Sequence, residues 1–77
     1  MLKMVNEIKQ AQDYLRETYG DEGYKTLIDG AKKKVNSILE KAPDISELEV
    51  LAVFAKDEKL PADVRLVALA CMGEVRR

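Results

Sequence analysis

The sequence reads YKTLIDGAKKKVNSILEKA from Tyr24 to Ala42, and its apolar residues recur every three or four positions. At about 100° per residue they fall within one arc of roughly 120°, which is the width of a helical stripe that faces a core. The stripe consists of Tyr24, Leu27, Ile28, Ala31, Val35, Ile38, Leu39 and Ala42. This spacing predicts an amphipathic helix against which the rest of the chain packs.

The region before this stretch shows a second helical pattern, from Leu2 to Thr18. Between the two patterns lies the sequence Gly-Asp-Glu-Gly at residues 20–23, where Gly20 can end one helix and the acidic pair suits the start of the next. The sequence therefore predicts two helices, at about residues 2–18 and 22–42, that are joined by a tight turn.

Two prolines divide the remainder of the chain. Pro43 disfavours helical geometry in the residue before it, and Asp44 can then cap a third helix with Glu47 three residues later. Pro61 suits the first position of a fourth helix. We expect helices at about residues 45–57 and 61–75, and hence an all-α, compact four-helix bundle in one domain that spans residues 1–77.

The helical stripes also predict which residues form the core. We expect the second, third and fourth helices to supply it. Its members should include Ile28, Val35, Ile38, Leu51, Val64, Val67 and Cys71.

The third and fourth helices are too apolar for one stripe each, which suggests that the protein self-associates. A 77-residue chain has little surface with which to cover additional apolar faces. Phe54 is the best single anchor for a homodimer, although a contact with the first helix in the same chain is the alternative. The predicted protein interface consists of Val50, Val53, Phe54, Leu66, Leu69, Ala70 and Gly30.

Residues 48–75 resemble one HEAT-type helical repeat. The resemblance rests on leucines in the first helix, an Asp in the turn, a Val-Arg pair, and a small residue and a Gly in the second helix. These residues are Leu48, Leu51, Asp57, Pro61, Val64, Arg65, Ala68, Gly73 and Val75. The resemblance implies a helical hairpin that binds protein, and it implies no active site.

Composition restricts the possible chemistry. The chain has no histidine, so we expect no histidine-based catalysis or metal site, and we predict a non-enzyme without cofactor or metal. Its single cysteine, Cys71, fits a reducing compartment. No apolar run could serve as a signal peptide or membrane span, so we expect a cytoplasmic protein with no membrane partner.

The leading hypothesis is a small protein-interaction module, a homodimeric regulator or inhibitor that binds a larger protein. An interior helical glycine costs about 1 kcal/mol relative to Ala, so Gly30 should have a reason. The strip Thr26, Gly30 and Ser37 would let another helix approach, and the alternative for Gly30 is a tolerated surface glycine. The alternative is a helical nucleic-acid-binding regulator that uses lysines, although a net charge of -1 does not favour it. Those lysines are Lys25, Lys32, Lys33, Lys34 and Lys41.

Overall fold

A computed structural model describes residues 2–75 of the chain and the side chains of residues 6–75. It contains three helices, α1 (Leu2–Lys41), α2 (Glu47–Lys56) and α3 (Ala62–Val75), and no strand within residues 2–75. The all-α prediction is confirmed, but the prediction of four helices is wrong. None of these three helices combines the length and the apolarity that a membrane crossing needs.

The first two predicted helices form one element, α1, which changes direction at Gly20. A straight helix of its 40 residues would be about 60 Å long, whereas the longest dimension of the molecule is 34 Å. The backbone at Gly20 has φ 77° and ψ 172°, a conformation that only glycine adopts readily. One residue therefore redirects the chain, and no connecting loop separates residues 2–19, the N-terminal segment of α1, from residues 21–41, the C-terminal segment.

Helix α2 begins later than predicted because Ser46, not Asp44, is its N-cap. The Ser46 Oγ accepts a hydrogen bond from the Glu49 backbone N–H at 3.2 Å and lies 3.3 Å from Glu49 Oε1. These two residues have the Ser-x-x-Glu spacing of a capping box, with the Glu49 carboxylate accepting from the Ser46 hydroxyl, and they take the place of the predicted pair of Asp44 and Glu47. Helix α3 begins at Ala62, one residue after the predicted start. The Pro61 carbonyl oxygen accepts a hydrogen bond from the Arg65 N–H at 3.2 Å.

Both segments of α1 contribute to the core together with α2 and α3. The buried apolar residues are Ile8, Ala11, Leu15, Tyr24, Ile28, Val35, Val50, Leu51, Ala68, Ala70, Cys71 and Met72. Ile28, Val35, Leu51 and Cys71 were predicted correctly, whereas Ile38 and Val67 are half-buried and Val64 remains 44% exposed.

The N-terminal segment of α1 belongs to the core, contrary to the expectation that the later helices would supply it. Gly73 explains how α3 approaches this segment so closely. A Cβ atom at Gly73 would lie 2.7 Å from Ile8 Cγ2 and even closer to the Gln12 side chain. The absence of a side chain at Gly73 thus allows α3 to cover Ile8 and its neighbours.

A group of polar side chains, the Glu74 network, joins the two segments of α1 to the end of α3. The Tyr24 hydroxyl donates to Glu74 Oε2 at 2.8 Å, and Gln12 Nε2 donates to Ala70 O at 3.2 Å and to Glu74 Oε2 at 3.4 Å. Arg16 lies 3.9 Å from the same carboxylate oxygen and 4.6 Å from the centre of the Tyr24 ring. The network therefore fixes the angle between the segments that Gly20 separates.

Burial and the neighbouring Glu74 carboxylate raise the pKa of Tyr24 to about 12. An unfolded tyrosine has a pKa near 10, so the folded protein holds this proton over a pH range in which the unfolded chain has lost it. Linkage then requires that stability falls as pH rises from about 10 to about 12.

We predict that Tyr24→Phe reduces this loss of stability at high pH. At neutral pH the variant should be about 1 kcal/mol less stable, because it lacks the hydrogen bond to Glu74. Between pH 9 and 11.5 the parent should lose about 1 to 2 kcal/mol more than the variant in free energy of unfolding, as measured by urea denaturation. Apart from residue 24 the two proteins have the same sequence, so the comparison isolates the effect of this hydroxyl. Parallel stability curves would contradict this role of Tyr24.

We also predict that Cys71 is unreactive in the folded protein. Its side chain is fully buried, and burial raises the pKa of the thiol, so little nucleophilic thiolate is present. Iodoacetamide should modify Cys71 only as fast as the protein unfolds. Val53→Cys provides the control, because position 53 is 64% exposed and its thiol should react rapidly. Equal rates at the two positions would show that the helix pairing around Cys71 opens readily.

Candidate functional site

An apolar groove with a volume of about 430 Å³ opens on one side of the molecule. We call it the Gly30 groove. Its lining comes from both segments of α1 and from α2, α3 and the connection between them. The buried side chains of Leu15, Leu51 and Ala68 form part of its lining, so the groove reaches the core.

The α1 wall of the groove includes three small residues, Thr26, Gly30 and Ala31. Thr26, Gly30 and Lys34 follow one another at four-residue spacing, and Leu27 and Ala31 lie beside them. Residues at this spacing share one face of a helix. The Thr26 hydroxyl already donates to the Glu22 carbonyl oxygen at 3.0 Å. The Thr26 hydroxyl therefore has its hydrogen satisfied within the chain, and the wall has little bulk at Gly30 and Ala31.

The opposite wall is bulkier and comes mainly from the start of α3. Leu60 in the connection, Asp63 and Val64 in the first turn of α3, and Phe54 in α2 line it. Phe54 is half-buried, whereas Val64 keeps 44% of its surface exposed. Val64 is thus an apolar side chain that lines the groove and remains accessible.

Gly30 has no packing role within the chain. A Cβ atom placed on it would meet no other atom within 4 Å, unlike one placed on Gly73. An interior helical glycine nevertheless costs about 1 kcal/mol relative to Ala. The space above Gly30 belongs to the groove, so the missing side chain deepens the groove without helping the chain to fold. Ser37, the third member of the predicted strip, is exposed but does not line the groove.

The residues predicted to form the interface do not make a single surface. Val50 and Ala70 are buried within the chain itself, because α2 and α3 pack against each other and against α1. Leu66 and Leu69 are half-buried against the core, and Val53 is exposed but lies outside the groove. Of the predicted set, Phe54 and Gly30 line the groove.

Sequence analysis missed the contribution of Leu60, Asp63 and Val64 to this site. Val64 was assigned to the core from its position on the main stripe of the last helix. The structure leaves it exposed, together with Ala62 and Asp63 in the same first turn of α3. The sequence did contain a signal for this part of the site, because Pro61 marks the start of the helix and has apolar residues on both sides, Leu60 before it and Val64 in the first turn.

The lysines proposed to bind nucleic acid lie on different sides of α1. At about 100° per residue, Lys25 and Lys32 lie within roughly 20° of each other, whereas Lys34 and Lys41 lie on the opposite side. Lys33 is exposed between the two pairs, and Lys32 is half-buried. Lys34 lines the groove, and Asp63 lines its other wall. The groove therefore carries one positive and one negative charge at its edges.

No group of three or more acidic or cysteine side chains in the described part of the chain is arranged to hold a metal. The side chains whose pKa is raised, Tyr24 and Cys71, lie outside the groove lining. What the groove offers is apolar contact, close approach at Gly30 and two charges of opposite sign.

Comparison of the chain with protein-family models, with curated proteins and with solved structures found no match. The resemblance of residues 48–75 to a HEAT-type repeat therefore stays a prediction, and function has to be argued from the Gly30 groove itself.

Proposed function

We propose that this protein is a protein-interaction module that binds an apolar helical surface of another chain in the Gly30 groove. It acts as a small regulator or inhibitor through that binding. The observation that carries the proposal is the glycine at position 30, which opens the groove although packing within the chain does not require it.

The composition of the groove supports a protein partner. Protein interfaces combine an apolar centre with a polar rim, and their strongest contacts form where water is fully excluded. Leu27, Phe54 and Val67 supply apolar surface here, and Lys34 and Asp63 supply the charges. An amphipathic helix laid into such a groove would bury its apolar side chains beside Gly30, which is a common mode of recognition.

The small size of the chain also favours association. A single core of 77 residues supplies limited stability, and a bound partner adds buried apolar surface. The nucleic-acid alternative gains no support from the arrangement of the lysines, because the two pairs on α1 point away from each other.

Filling the groove should abolish partner binding without harming the fold. We predict that Gly30→Leu keeps or raises helicity, because leucine is a better helix former and the space is open, while it removes the partner from the groove. Lys33→Leu is the matched control, since it adds the same side chain to an exposed position of α1 outside the groove. Each protein would be used as bait in an extract of the native host, followed by quantitative mass spectrometry.

The proposal expects a protein that the parent and Lys33→Leu retain and that Gly30→Leu loses by about tenfold or more, as for the loss of a central interface contact. Circular dichroism would confirm that both variants fold. If all three baits retain the same proteins in equal amounts, or if none retains any, the Gly30 groove is not a protein-binding site.

A further inference from the structure

We propose that the occupant of the Gly30 groove is the same groove of a second copy of this chain, paired about a two-fold axis that runs parallel to the groove. This inference rests on the proposed function and names its partner. Two features of the groove walls carry it, one of shape and one of charge.

The shape of the two walls is complementary to itself. The α3 wall carries Val64, which protrudes with 44% of its surface exposed, and the α1 wall carries Gly30, above which no atom lies within 4 Å of a Cβ position. A side chain of the size of Val64 can fill such a hole, as in knobs-into-holes packing of helices. Within one chain the two features belong to the same groove and leave it open.

The two walls also carry charges of opposite sign. Lys34 lies one turn after Gly30 on the α1 wall, and Asp63 precedes Val64 on the α3 wall. Within residues 6–75 the ion pair that forms joins Arg16 to Glu74, so Lys34 and Asp63 are not paired with each other. Each wall thus has an apolar feature and an adjacent charge that match those of the other wall.

A two-fold axis parallel to the groove brings these features together. Rotation by 180° about that axis places the α1 wall of one copy against the α3 wall of the other, whereas an axis across the groove would place like walls together. The first arrangement can pair Val64 of each copy with Gly30 of the other and Asp63 of each copy with Lys34 of the other, since all four line the groove. In such an isologous dimer every contact occurs twice, once on each side of the axis.

Charge reversal provides the test. Lys34→Glu and Asp63→Lys each replace two attractions across the dimer by two repulsions, so each variant alone should self-associate about tenfold or more weakly than the parent. An equimolar mixture of the two should regain affinity close to that of the parent. In the mixed dimer, the two introduced side chains form one attractive pair, and the native Asp63 and Lys34 form the other. Sedimentation velocity over a concentration series measures all four samples.

The mixture separates this arrangement from a contact within one chain. If Lys34 and Asp63 acted on each other inside a monomer, mixing the two variants would restore nothing, and only the double variant would recover. A dimer that is unaffected by the single reversals, or that mixing fails to restore, overturns the proposed pairing. Both residues are exposed at the groove edge, and circular dichroism would confirm the fold of each variant.

Disulfide trapping gives a second, independent measurement. A mixture of Gly30→Cys and Val64→Cys chains should form a disulfide between the two chains on mild oxidation, because the pairing places these positions in contact. Cys71 is buried and does not interfere. Trapping no faster than that of Lys33→Cys mixed with Val64→Cys would contradict the pairing.

A parent that stays monomeric up to roughly 100 µM in sedimentation velocity would overturn the second copy as occupant. The proposal that the groove binds some other protein would then depend on the host-extract comparison of Gly30→Leu with Lys33→Leu. The two proposals can therefore fail separately.

Discussion

The whole structure depends on the backbone conformation of Gly20. With φ 77° and ψ 172°, this residue occupies a region that a side chain makes unfavourable for the other amino acids. It bends a 40-residue helix into two segments, so that α3 can contact residues on both sides of the bend. The Glu74 network then locks the bend, because Gln12 and Arg16 come from one segment, Tyr24 from the other and Glu74 from α3. In a straight α1, Tyr24 would lie about 18 Å along the helix axis from Gln12, so one Glu74 carboxylate could not reach both.

The bend also creates the Gly30 groove. Leu15 and Tyr19 precede Gly20, Thr26 and Gly30 follow it, and all four line the same groove. Three glycines of this chain thus serve different purposes. Gly20 supplies a backbone conformation, Gly73 makes room for α3 within the chain, and Gly30 makes room that the chain itself does not use. That difference is why the groove, and not the Glu74 network, is proposed as the functional site.

Local signals in the sequence predicted much of the fold, and tertiary contacts decided the rest. The spacing around Ile28 and Val35 correctly identified the central stripe, because helical periodicity is a local property. Gly20 was identified as a break, but whether a glycine ends a helix or bends it depends on packing from α3. Ser46 and Glu49 already formed a capping signal that the sequence interpretation passed over in favour of Asp44. Val64 was assigned to the core but is 44% exposed, because the face of a helix alone does not tell which neighbour covers a residue.

The central claim is that Gly20 is required by its backbone conformation and Gly30 by no contact in the chain. The free energies of unfolding of Gly20→Ala and Gly30→Ala test it most directly, since the new Cβ meets open space at both positions and only the backbone differs. We expect Gly20→Ala to lose about 1 to 3 kcal/mol to backbone strain and Gly30→Ala to gain up to about 1 kcal/mol from helix propensity. A Gly20→Ala variant as stable as the parent in urea denaturation would contradict the account.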